Sequence, residues 1–350
     1  MQLGPMLSRR FAAYRAEVKR SIFQLVTTAT PFVTLLVAMA WVSYDRYWLT
    51  LLLAIPAAGL LVRLFIIQHD CGHGSFFKSR ASNDFVGRAL SLLTLTPYAS
   101  WKRAHAAHHA STGNLDRRGR GDVETLTVAE YQASGPLKKL AYRLYRNPLV
   151  MVLLGAPINF ILLQRLPLGH DFSNSQSRRS ILLLDLMLLL AFGLPCALFG
   201  ALAVFGTYLP VMIMASWVGN WLFYVQHQFD GAHWERGDDW NFHVAAVGGS
   251  SYFKLPLVLQ WFSGNIGLHH VHHLIEDHGH QNHSTDDDPV PIRVEPPNPA
   301  DALGIRILDL EHVDAVVDDS HDRSTDQDAE DGAFAPAQRA ATEHRRSDGV

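Results

Sequence analysis

Three short runs gather imidazoles within a helical turn or so of one another: His69-Asp-Cys-Gly-His73, His105-Ala-Ala-His108-His109 and His269-His270-Val-His272-His273. Residues three or four apart share a helix face, so each run can aim two or three ring nitrogens at one point. A neutral imidazole offers a metal a lone pair without bringing a charge of its own. His227, inside Val225-Gln-His-Gln-Phe-Asp230, adds a further ring at the end of an apolar stretch, where an ionisable side chain is a functional candidate by default. One such run would fit a solvated surface or a chance zinc site equally well. Three runs with His227 do not, because so many rings titrating near neutral pH would be a liability without a shared task. His270 sits one residue round from its neighbours and points off the shared face. His278, His280 and His283 read as solvated, and His170, His233 and His243 are left open.

Ligand type does not choose the metal, since imidazole suits zinc, copper, nickel and iron. Ligand number says more. A structural zinc takes four ligands and a catalytic zinc three, so eight or nine imidazoles point to two metals, each partly open. The chain has no thiolate pair and no haem attachment motif, which directs the reading to iron and dioxygen, with a lipid-soluble substrate.

The elements that must position these rings are apolar helices. Four segments reach the roughly 20 residues a bilayer requires: about Ile22 to Val42, Tyr47 to Ile67, Ile181 to Gly206 and Tyr208 to Val225. The short link Ser43 to Arg46 makes the first two a hairpin, and a break near Gly206 and Thr207 predicts a second. Trp41, Tyr44, Tyr47 and Trp48 form an interface belt at one end. Arg63 and Asp185 fall near span ends, where their side chains can snorkel. The segment between the second and third spans carries fifteen Lys and Arg, including Lys102, Arg103, Lys138 and Lys139, against Arg46 alone in the first hairpin's link. The positive-inside rule therefore puts this segment, the histidine runs and both termini in the cytoplasm. The apolar stretches Pro148 to Leu163 and Leu255 to Phe262 are expected to be re-entrant or interfacial, because a single crossing would separate the histidines.

Composition trims the alternatives. A net charge of −3 over 350 residues argues against nucleic acid as a partner. Two cysteines, Cys71 and Cys196, are too few for a disulfide framework and read as reduced. Residues 1–20, with Arg9, Arg10, Arg15, Lys19 and Arg20, suit a basic amphipathic arm near lipid headgroups. Residues 21–274 form the principal domain, and residues 275–350 read as an acidic tail without a packed core.

With these motifs in place, the chain resembles the membrane fatty acid desaturases, closest to bacterial delta-12 or omega-6 acyl desaturases, over roughly Arg10 to His273. Phe65-Ile-Ile-Gln-His-Asp-Cys-Gly-His-Gly-Ser-Phe-Phe77, Trp101-Lys-Arg-Ala-His-Ala-Ala-His-His109, Phe223-Tyr-Val-Gln-His-Gln-Phe229 and Gly264-Asn-Ile-Gly-Leu-His-His-Val-His-His273 carry the likeness. The resemblance implies an all-α integral-membrane fold of four spans with a cytosolic helical cap and an acyl chain in a bent tunnel. It implies two non-haem irons on His69, His73, His105, His108, His109, His227, His269, His272 and His273. It implies insertion of a cis double bond into a fatty acyl lipid or thioester with dioxygen and two electrons. No haem-binding His-Pro-Gly-Gly segment is fused, so a ferredoxin or cytochrome b5-like donor is implied. Lys102 and Arg103 are read as serving membrane orientation before donor docking. Two departures stand out. Asp230 occupies a place where the family has Glu, a shorter support for a ligand, and similarity is expected to fade soon after His273. A related reading is a histidine-box oxygenase such as a carotenoid ketolase, carotenoid hydroxylase or alkane hydroxylase. A different class is a non-catalytic metal-binding or transport protein, but transport predicts ionisable residues in mid-span, not at the ends.

Overall fold

A computed structural model describes residues 16–119, 121–270 and 272–273. The tail from residue 275, most of the N-terminal arm, and His278, His280 and His283 lie outside the described residues. Four helices are long and apolar enough to cross a membrane: α1 (Val18–Val42), α2 (Tyr47–Gly72), α7 (Ser175–Phe199) and α8 (Ala201–His227). Between them in sequence lie α3 (Arg80–Thr94), α4 (Tyr98–Ser111), α5 (Val128–Ala133) and α6 (Pro136–Arg146). After α8 come the short helices α9 (Phe242–Gly248) and α10 (Leu257–Phe262). The described residues contain no strand, only two isolated bridges, Asn114 with Glu235 and Tyr252 with Leu268. The all-α membrane architecture expected from the apolar segments is therefore the observed one.

Helix α2 is the central element, packed against α1, α3, α8 and α10. Its residues Ala54, Ala57, Leu64, Ile67 and Cys71 join Phe32, Met39, Tyr98 and Val211 in the core. By contrast α7 turns Leu182, Leu186, Leu189, Leu190 and Leu194 outward. An exposed apolar face of that extent belongs against lipid, not water.

Three boundaries differ from the sequence expectation. The break between the last two spans is at Gly200, with φ of 85°, and not at Gly206 and Thr207. Only glycine adopts that left-handed conformation cheaply. Gly206 lies inside α8, where its carbonyl accepts a 3.1 Å hydrogen bond from the Tyr47 hydroxyl. Helix α2 runs past Ile67 to Gly72 and so carries His69 within it. Helix α7 begins at Ser175, ahead of Ile181, with the Asn174 side chain accepting from the Ser177 N–H.

Several polar side chains in the spans are paired, as a medium without water demands. Gln68 donates to Ser91 and to the Thr96 carbonyl, each at 3.2 Å, and accepts from Thr94. Arg63 does not snorkel. Its guanidinium donates to Thr28 and to the Trp261 carbonyl and lies 4.3 Å from the Trp261 ring, tying α2 to α10. Asp185 likewise pairs with Arg165 at 3.3 Å.

The stretch Val150–Arg165 follows α6 at a bend of 76°, the geometry of a broken span or a re-entrant loop. Helix α10 has six residues, too few to cross a bilayer, and packs Phe262 against Gly59. On the side where α2 and α8 end, an ion network joins the cap. Arg236 bonds Asp116 at 2.6 Å and Glu130 at 2.9 Å, and Glu130 also takes Arg118 at 2.5 Å.

Candidate metal centre

Four pieces of chain deliver the histidines to one place. Helix α2 ends at Gly72, His73 caps it, and Gly74 at φ 72° turns the chain away. Helix α4 starts behind Pro97, where a missing N–H costs nothing. His227 is the last residue of α8. The third histidine run follows Gly264 and Asn265, both left-handed at φ of 59° and 62°. A Cβ on Gly264 would stand 2.7 Å from the Ile66 side chain, and one on Gly267 would overlap the Phe253 carbonyl oxygen. These two positions need glycine so that the run can press against α2 at Ile66 and against the backbone at Phe253.

The nine rings sort into two groups. His69, His73, His105, His109 and His272 form one, and His108, His227, His269 and His273 the other, with the ligand atoms of each within 4.8 Å of one another. In the first, Nε2 atoms lie 3.3 Å apart for His69 and His73, 2.9 Å for His73 and His105, and 3.1 Å for His105 and His109. In the second, His108 and His227 are 3.1 Å apart, His227 and His269 2.8 Å, and His269 and His273 3.2 Å. Metal–imidazole bonds of about 2.1 Å would set neighbouring nitrogens about 3.0 Å apart in an octahedron and about 3.4 Å in a tetrahedron. The observed spacings of 2.8–3.3 Å lie in or within about 0.2 Å of that range, so the donor set fits two metal ions.

The grouping follows helical phase. His69 with His73, His105 with His109 and His269 with His273 are four-residue pairs that stay together, while His108 and His272 cross to the opposite group. A spacing of three and one of four differ by about 100° around a helix. One run therefore serves both groups, beyond the single point anticipated for each.

Burial fixes the protonation state. His105, His109, His269, His272 and His273 are pushed well below the ordinary imidazole range, first by burial and then by one another's proximity. Neutral rings with inward lone pairs are what a cation requires. The outward nitrogens are held at three rings: Asp70 faces His69 Nδ1 at 3.1 Å, Asp122 bonds His108 Nδ1, and the Gly249 carbonyl lies 3.3 Å from His227 Nδ1. Such partners keep the proton on Nδ1 and leave Nε2 for a metal. Trp101 stacks on His105 at 4.7 Å and 17°, and Gly72 leaves room for its ring.

Some expectations for single residues change. Asp230 is exposed on the turn after α8, and no described contact brings it to a ligand histidine, so it is not the support inferred for it. Asp122 and Asp70 do that work. Asp70 was visible inside the first run, whereas Asp122, in the loop after Gly121, carried no spacing signal. Lys102 is paired with Asp84 at 3.1 Å and Arg103 with Gln176, so neither offers an unengaged docking charge. His270 lies outside both groups, 5.9 Å from the Tyr252 ring, as its phase required. His233 and His243 are outside them too.

The fatty acid desaturase family profile matches residues 46–287. The chain belongs to the fatty acid desaturase family. Over 270 residues it is 43% identical to a fatty acid desaturase of Bacillus subtilis, covering 77% of this chain and 76% of the relative. Identity is 29% over 255 residues with an sn-1 acyl-lipid omega-3 desaturase (ferredoxin) of Synechocystis, covering 69% of this chain and 65% of that one. An acyl-lipid omega-3 desaturase (cytochrome b5) of the endoplasmic reticulum of Arabidopsis thaliana is 27% identical over 253 residues, 67% of this chain and 60% of the relative. This desaturase thus spans a little under two thirds of the length of the latter two. The family match ends at residue 287, fourteen residues past His273.

Proposed function

We propose that the chain is a membrane acyl desaturase that forms a cis double bond at a di-iron centre held by His69, His73, His105, His109 and His272 on one side and His108, His227, His269 and His273 on the other. The observation that carries this reading is the separation of nine imidazoles into two metal-sized groups in a desaturase-family chain. Two bound irons would supply the reduction of dioxygen that removal of two hydrogens demands. The reaction balances as one CH2–CH2 unit, dioxygen, two electrons and two protons giving one CH=CH unit and two waters.

The protein's own residues set the conditions. The rings hold lone pairs inward, Asp70 and Asp122 fix two of them in orientation, and burial keeps bulk water from the oxidising site. The substrate is a fatty acyl lipid or thioester, reaching the site from the bilayer that surrounds the four spans. Electrons come from a ferredoxin or a cytochrome b5-like protein, the two donors named for relatives. The excess of Lys and Arg in the α2–α7 segment supports a cytoplasmic placement of the histidines and both termini, in a bacterial inner membrane. In this reading residues 21–274 are the desaturase domain, flanked by a basic arm over residues 1–20 and an acidic tail over residues 275–350.

The test is a fatty-acid profile by gas chromatography of a host expressing the chain with a suitable donor, beside one expressing His105→Ala. A new unsaturated peak that vanishes in the variant is expected. A membrane-resident wild-type chain giving no new peak would overturn the proposal.

A further inference from the structure

Behind the four-histidine group lies a small, partly enclosed cavity bordered by Thr112, Asp122, His227, Gln228, His233 and Gly249. It has room for about one water molecule, and a water is held in such a place only where two to four polar partners surround it. Those partners are present. Thr112 Oγ1 and His233 Nε2 are buried and have no hydrogen-bond partner among the described residues. The Asp122 side chain, only 10% exposed, bonds His108 Nδ1 through one oxygen and can accept at the other. Buried polar atoms without partners are rare in native proteins, and an ordered water is the common reason for them.

The loops that shape the cavity are pinned in place. The His233 N–H donates to the Gly248 carbonyl at 3.0 Å, and the Trp240 indole donates to the Thr112 carbonyl at 2.9 Å. Gly113 has φ of 68°, and a Cβ there would meet the His233 carbonyl oxygen at 2.9 Å. Thr112 and His233 are thus fixed at the cavity by close-packed backbone.

We propose that this cavity is a water site, and that the water, bonded by His233 Nε2 and Thr112 Oγ1, holds the Asp122 carboxylate against His108. His233 and Thr112 are then positioning residues for the four-histidine group, acting on the metal through water, Asp122 and His108. The inference rests on the two-metal reading above, and it singles out one group of the pair. The carboxylate beside the five-histidine group, Asp70, is by contrast 42% exposed.

Two measurements on the iron-loaded, full-length enzyme in detergent test this together. A cryo-electron-microscopy map should show one water within hydrogen-bonding reach, about 2.7–3.2 Å, of His233, Thr112 and Asp122. Stopped-flow release of iron to a chelator should be biphasic, one phase per group. His233→Leu and the near-isosteric Thr112→Val should each speed one phase about tenfold and leave the other unchanged. His233→Gln, which restores a polar atom, should return that phase toward the wild-type rate. No water in the map, or an unchanged release rate in both His233→Leu and Thr112→Val, would overturn the proposal. A purified wild-type chain that binds no metal pair would instead overturn the di-iron reading. Should His233→Leu fail to fold, Thr112→Val decides, because it removes only the hydroxyl.

Discussion

His108 and His272 are the two rings that make one helical run serve two metals. Each stands three residues from one run partner and one from another, so its ring swings away from the four-residue pair and into the opposite group. Removing a paired ring, as in His109→Ala, takes one of five donors from its group. Removing His108 takes one of four and also frees Asp122 in a buried place. Metal content by mass spectrometry should therefore fall further in His108→Ala than in His109→Ala. Equal losses would show that the groups do not differ as the geometry says. Asp122→Asn keeps the shape and a hydrogen-bonding oxygen but removes the charge that raises imidazole basicity. It should weaken metal retention by about 10–100-fold in chelator competition, whereas Asp230→Asn, on an exposed turn, should leave it unchanged. At this scale the ligands were legible because spacing and type coincide in them. Asp122 was not, since a lone carboxylate in a glycine-bearing loop gains its meaning only from what folds over it.

Elements are where apolar length misled and turn chemistry decided. The four spans were evident from their runs of apolar residues, yet Gly200 and Gly206 are six apart in one continuous apolar stretch. Hydrophobicity alone does not say which of them breaks the helix. Helix α2 outran its apolar count for a related reason: Gln68 is polar in sequence but wholly buried and bonded between α2 and α3, so the helix continues through it to His69. The threading of the last run over α2 depends on backbone that only glycine supplies. Gly264→Ala would be strained by its φ of 59° and would drive a methyl to 2.7 Å from Ile66. A cost of about 1–3 kcal/mol is expected, with loss of metal from both groups, since His269, His272 and His273 all follow this turn. Gly219→Ala, inside α8 with open space around its Cα, should be neutral or slightly stabilising through helix propensity. Thermal unfolding in detergent separates the two, and similar midpoints would remove the role given to the Gly264 turn.

For the molecule as a whole, membrane topology and the histidine cap answer to one constraint: all nine rings must end on the same side. That requirement made Pro148 to Leu163 a re-entrant candidate from sequence, and the 76° bend after α6 fits it, falling where Asn147-Pro148 interrupts the helix. Bringing nine rings together also has a pH signature. The five rings placed outside the spans are held well below the usual imidazole range, mainly by burial, so the folded protein keeps them unprotonated. Unfolded, each would take up a proton below about pH 6.5. Below that value the unfolded state binds more protons than the folded one, and stability falls as pH falls. The metal-free protein should accordingly be most stable above about pH 6.5 and lose stability progressively toward the depressed folded values. Bound metal should resist acid until protons compete for the same lone pairs, which is again loss on the acid side. Unfolding midpoints of chelated and metal-loaded protein, followed between about pH 5 and about pH 8, would test this. A midpoint that rises on acidification, or stays flat in the chelated form, would mean that the rings are not buried as neutral ligands, and the two-metal reading would lose its electrostatic basis.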